Sequence, residues 1–169
     1  TVQINGVVWD QVVVGNPDAE GVRMGALASL SQREEVLRAL KSLRDAATLV
    51  FGDPASFTVP GADASRGAFL PPLLLRAEDS TASVLHEVEA FGPVSTLIGY
   101  RDIADAIALA ARGKGSLVGS LVTHDPEVAR AVTIGIAPYH GRILVLDRDD
   151  AEESTGHGSA LPTLVHGGP

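Results

Sequence analysis

The order strand, helix, strand repeats through residues 94–147, and this repetition limits the possible folds of the chain more than any other feature. Residues 94–100 form an apolar run, and residues 102–112 then put Ile103, Ala106, Ile107 and Ala110 on one helical face. Residues 116–122 read as a strand, residues 125–132 as a helix opened by Asp125-Pro126, and residues 142–146 as another strand. Proline at the first helical position forfeits no hydrogen bond, so Asp-Pro is a natural helix start. Strands separated by a helix pair in parallel through right-handed crossovers. The pattern therefore predicts an α/β fold, a layered and mostly parallel sheet with flanking helices.

The N-terminal half adds elements of the same kind. Residues 7–14 are apolar and β-branched, interrupted by Trp9-Asp10-Gln11, and stop at Gly15-Asn16-Pro17-Asp18, which reads as a strand and a turn. Ser31-Gln32-Arg33-Glu34 matches a capping box, and Val36, Leu37, Leu40 and Leu43 follow at helical spacing, which predicts an amphipathic helix of about four turns. Residues 48–51 are a short strand candidate, and residues 52–67 are a surface loop rich in Gly, Pro, Ser and Asp. Residues 69–75 contain Pro71 and Pro72, which cannot donate to a ladder, so this segment is expected at an edge or in a connection. The pattern dissolves after Asp147, and residues 148–169 read as a glycine-rich irregular tail.

Composition removes several classes of function. The 169 residues fit one domain with a conventional core, and 45% hydrophobic against 4% aromatic content means that Val, Leu, Ile and Ala must build it. A net charge of -8, with 13 scattered basic residues, argues against nucleic-acid binding. No apolar run is long enough to cross a bilayer, and residues 1–11 lack the layout of a signal peptide, so a cytoplasmic protein with no membrane partner is expected. The chain has no cysteine, which removes disulfides, thiolate ligands and thiol nucleophiles together. His86, His124, His140 and His166 show no metal-ligand spacing, so no metal site is expected. No Gly-x-Gly-x-x-Gly follows a strand, so the dinucleotide-binding fold is not expected in these residues, and no Gly-x-Ser-x-Gly turn supports a hydrolase.

Several short motifs follow one another in an informative order. They are Val14-Gly15-Asn16-Pro17, Met24-Gly25-Ala26-Leu27, the helix start at residues 32–37, residues 67–74 with Pro72, Glu89-Ala90-Phe91-Gly92-Pro93-Val94, and Leu121-Val122-Thr123 before a helix. This ordered set, covering residues 12–147, resembles the aldehyde dehydrogenase superfamily. The tail, with Asp147, Glu153-Ser154-Thr155-Gly156-His157-Gly158-Ser159 and Leu164-Val165-His166-Gly167-Gly168-Pro169, resembles the dehydrogenase half of the bifunctional ring-opening enzymes of phenylacetate degradation. Residues 1–11 match nothing usable and stay unassigned. The chain starts without methionine and ends on Gly-Gly-Pro, so both ends look cut from something longer.

The resemblance implies roles for particular residues. Glu89 matches the family's glutamate that accepts hydrogen bonds from the nicotinamide ribose hydroxyls, a task suited to an acceptor-only carboxylate. Phe91 matches the aromatic residue that packs beside that ribose and ring. The plain alternatives are a solvated Glu and a core Phe. Glu87 lies two residues too early and is expected to be a rim charge. Asp147, with Leu146 as the competing match, falls where the family's chain enters the substrate entrance, and His157 lies in the segment lining that entrance or in an exposed turn.

The resemblance also implies a cofactor, NADP (or NAD), and a small-molecule aldehyde substrate that is CoA-linked. The expected partners are the remainder of the dehydrogenase chain, including its cofactor domain, and further copies in a homo-oligomer. No catalytic residue is expected here, because the family's nucleophilic Cys and general-base Glu both lie upstream of the matched segment. The polypeptide alone is expected to be inactive. A non-catalytic α/β assembly or ligand-binding domain is the alternative reading.

Overall fold

The computed structural model describes residues 12–147 and Asp149, together with the backbone of two short strands, β1 (Gln3–Ile4) and β2 (Val7–Val8), which pair antiparallel. The chain divides into two compact units, Thr1–Gly99 and Tyr100–Pro169. Each contains strands covered by helices, as the α/β reading expects.

In the first unit, helix α1 (Leu30–Leu43) faces a sheet of three strands in the order β3 (Ala47–Phe51), β4 (Leu73–Ala77), β5 (Val94–Leu97). β4 pairs antiparallel with β3 and parallel with β5. Val36, Leu40 and Leu43 of α1 pack with Ala47, Leu70, Leu73 and Leu75 in one buried cluster, the aliphatic core that the composition calls for. Burial of such side chains contributes about 1.5–3 kcal/mol each. The periodicity predicted this helix and its inner face.

Three expectations in this unit need correction. The cap of α1 is Ser29, whose hydroxyl accepts from the Gln32 amide at 3.1 Å, while the Gln32 side chain accepts from the Ala28 amide at 3.0 Å. The box therefore sits two residues before the Ser31–Glu34 match. Residues 69–75 are not peripheral: Leu70, Leu73, Leu74 and Leu75 are fully buried, and β4 is the central strand. Pro71 and Pro72 are tolerated because the ladder begins after them, with the Leu73 amide donating to the Pro93 carbonyl at 2.8 Å. The strand expected over residues 7–14 is reduced to β2 and to a single parallel bridge from Val14 to Met24, with residues 9–11 outside the described region.

The second unit pairs β6 (Ser116–Val122) with β7 (His140–Leu146) in parallel, through α4 (Pro126–Ile136) and a 3-10 turn at Ala137–Tyr139. This is the predicted crossover. Asp125 caps α4 by accepting from the Glu127 and Val128 amides at 2.9 and 3.3 Å. Helix α3 (Ile103–Ala111) packs on α4 at Gly135, where a Cβ would stand 2.7 Å from Ile107 Cγ2. The strand–helix–strand repeat from residue 94 is broken at one point, because β5 hydrogen-bonds to β4 and lies in a different sheet from β6. β5 is instead the parallel partner of β4, whose first three residues, Leu73, Leu74 and Leu75, are buried. The tail, residues 148–169, lies outside the described residues except for Asp149.

Candidate functional site: a clamped turn on the rim of a cleft

The turn at residues 89–94 leads directly into β5, and local backbone bonds bend it sharply. The Gly92 amide donates to the Ala90 carbonyl and the Val94 amide to the Gly92 carbonyl, both at 2.7 Å. These i to i+2 bonds enclose three residues each, with Phe91 and Pro93 at their centres, and turn the chain within residues 90–94. Gly92 also lies against the core: a Cβ there would meet Val36 Cγ2 at 2.8 Å and Cγ1 at 3.0 Å. Val36 is wholly buried and cannot retreat. Ala90 points inward and packs against the core cluster, while Glu89 and Phe91 on either side of it are exposed. Alternation along this short extended stretch thus sends both expected site residues outward together.

Side chains from the first turn of α1 hold the bend in place. The Gln32 side-chain amide donates through Nε2 to the Phe91 carbonyl at 2.8 Å. Arg33 donates through Nε to the Phe69 carbonyl at 2.9 Å, and the Leu27 amide donates to the Ala68 carbonyl at 3.0 Å. Three chain segments that are distant in sequence therefore meet at one helix start. They line a cleft of about 600 Å³ bounded by residues 24–27, Gln32, Leu70 and residues 89–93.

Glu89 and Phe91 stand on the rim of this cleft, and Phe91 leaves 68% of its surface exposed. Phe91 is thus not part of the core that these residues form. Glu87 is exposed at the end of the short helix α2 (Val84–Glu87) and does not line the cleft. Asp147 follows β7 in the second unit, half-buried, and accepts from the Asp149 amide at 2.8 Å; Leu146 ends the strand. His157 lies outside the described residues. Gln32 was not singled out as a site residue by its sequence, since its only sequence signal was that of a helix start.

His86 and His140 have structural roles. His86 donates through Nε2 to the Ser80 carbonyl at 2.8 Å, and His140 through Nδ1 to the Ile136 carbonyl at 3.0 Å. Among the described residues, no group of three or more His, Cys, Asp or Glu is arranged to hold a metal ion. No helix among the described residues is long and apolar enough to cross a membrane.

Comparison with known proteins agrees with the motif order. The sequence pattern of the Aldehyde dehydrogenase family matches residues 7–145. A 3,4-dehydroadipyl-CoA semialdehyde dehydrogenase of Aromatoleum evansii is 43% identical over 157 residues, covering 92% of this chain and 30% of that protein. Protein MaoC of Klebsiella aerogenes is 46% identical over 149 residues, covering 86% of this chain and 42% of that protein. The chain thus spans less than half the length of these relatives. Aldehyde dehydrogenase C of Pseudomonas syringae, solved with NAD+ and octanal, superposes with a TM-score of 0.69 at 27% identity over 90% of this chain and 28% of that one. On its motifs, its fold and the extent of these matches, the chain belongs to the aldehyde dehydrogenase family.

Proposed function

We propose that this chain forms the nicotinamide-ribose wall and part of the substrate entrance of a larger aldehyde dehydrogenase that oxidises a CoA-linked semialdehyde. The observation that carries the reading is Glu89 on the rim of a cleft of about 600 Å³, at a turn tied to both α1 and β4. A carboxylate has two acceptor oxygens, which suits the paired hydroxyls of a ribose. The exposed ring of Phe91 offers an apolar face two residues away. These residues fit the ribose end of a nicotinamide dinucleotide, NADP or NAD. When bound, the dinucleotide supplies hydride acceptance. Glu89 fixes its orientation by accepting from the ribose, and Phe91 shields one side of the site from water.

The thiol nucleophile comes from the rest of the dehydrogenase chain, as the absence of cysteine here requires, and the general-base Glu is assigned there with it by the family resemblance. The CoA-linked semialdehyde, and with it a place in phenylacetate degradation, rests on similarity to the Aromatoleum and Klebsiella proteins. Asp147, or Leu146 beside it, and His157 belong to the entrance in this reading. A homo-oligomer and a cytoplasmic location belong to the same proposal. Exposed Leu117, Val118, Val122 and Val145 in the second unit support association.

The test is Glu89→Gln in the full-length enzyme. The amide keeps the shape but loses the charge-assisted bonds, worth about 1.5–3 kcal/mol to a charged partner, so the cofactor KM should rise roughly 10- to 100-fold with a slower hydride step. Circular dichroism and the melting temperature should not change. Unaltered cofactor kinetics would remove Glu89 from the site.

A further inference from the structure

We propose that Gln32 is a positioning residue for the cofactor turn, acting through the Phe91 carbonyl to hold Glu89 where it is needed. The inference rests on the ribose reading of Glu89 and deepens it. One side-chain amide does two tasks: its Oε1 accepts from the Ala28 amide at 3.0 Å and completes the cap of α1, and its Nε2 donates to the Phe91 carbonyl at 2.8 Å. The two halves of the amide therefore link the helix start to a turn 59 residues later in the chain. The capping half alone needs only an acceptor, which Glu also supplies in capping boxes. The donor half is what Gln adds: it holds the Phe91–Gly92 peptide, two residues after Glu89, from outside the turn.

The turn holds the same Phe91–Gly92 peptide locally, through the Gly92 amide on the Ala90 carbonyl at 2.7 Å. Its backbone bonds run within residues 90–94, and Pro93 is tied to β4 through the Leu73 amide. Ala90 packs on the core, and the Gln32 bond at Phe91 ties the turn to a second element, α1. Arg33, the neighbouring residue, holds the Phe69 carbonyl, next in the chain to the cleft-lining Leu70. Loss of the Gln32 donor should loosen the rim turn while leaving α1 and its core face intact.

The experiment compares Gln32→Glu, Gln32→Ala and Gln32→Ala with Glu89→Gln in the full-length enzyme. Gln32→Glu keeps the cap acceptor and removes the donor. Hydrogen exchange over residues 89–94 should speed up several-fold in both single variants, with the interior of α1 unchanged in Gln32→Glu. This readout does not depend on the cofactor, so it separates failure of the tether from failure of the ribose reading. Cofactor KM should rise about 5- to 20-fold with a smaller change in kcat. In the double variant it should exceed that of Glu89→Gln by much less, because both residues act on one contact. Unchanged exchange in the turn, or fully additive effects on cofactor KM, would overturn the proposal.

Discussion

Gly92 shows how closely the site is bound to the core at the level of single residues. Its missing side chain lets the turn lie on Val36, and Val36 is also the innermost residue of α1. Gly92→Ala forces either the turn or the helix to move, at a cost of about 1–3 kcal/mol for overpacking a tight contact. Denaturant unfolding should register this loss, with an accompanying rise in cofactor KM as Glu89 is displaced. An unchanged midpoint would mean that the turn lifts off the core freely. The residue types at 89 and 91 were legible from motif spacing. The role of Gln32 was not, because Ser29-x-x-Gln32 and Ser31-x-x-Glu34 both match a capping box. A bond to a carbonyl 59 residues away favours the first, and no local pattern carries that information.

Helices α1 and α3 begin in the same way. In α3, Asp102 accepts from the Asp105 amide at 2.8 Å, and Asp105 reaches back to accept from the Arg101 amide at 3.0 Å, as Gln32 does with Ala28 in α1. The Arg101 side chain adds two bonds to Asp105, at 3.1 and 2.8 Å. Hydrogen bonds from Arg101, first from its side chain and then from its backbone, draw the Asp105 carboxyl down to about 2. A depressed carboxyl stabilises the folded state above its unfolded value near 4, and this contribution is lost as pH falls from about 4 through about 2. Asp105→Asn should therefore flatten the acid-side slope of stability in this pH window, measured by melting temperature, and should lower stability at neutral pH. An identical slope in the variant would show that the bond does not persist in solution.

Strands were less legible than helices. Pro71 and Pro72 predicted a marginal segment, yet β4 is the centre of its sheet because its ladder starts just beyond them. Burial on both faces, visible only in the folded chain, outweighed the local signal.

At the scale of the whole molecule, the proposed function gives the chain one wall of a site. Purified alone, it should produce no NADH or NADPH from any aldehyde, measured by absorbance of the reduced cofactor, since no thiol is present to attack the carbonyl. Turnover by this polypeptide would overturn that expectation and the assignment of the nucleophile to the rest of the chain.

The amino-acid order alone determined the α/β class, the amphipathic α1, the Asp125-Pro126 start of α4 and the crossover from β6 to β7. Each depends on periodicity or capping chemistry within about a dozen residues, and such signals survive in one dimension. Only the tertiary structure decided which cap α1 uses, that β4 is central, that β5 and β6 part into different sheets, and that Gln32 holds the rim turn. Those outcomes depend on contacts between segments far apart in sequence, where burial and hydrogen-bond satisfaction are settled jointly rather than residue by residue.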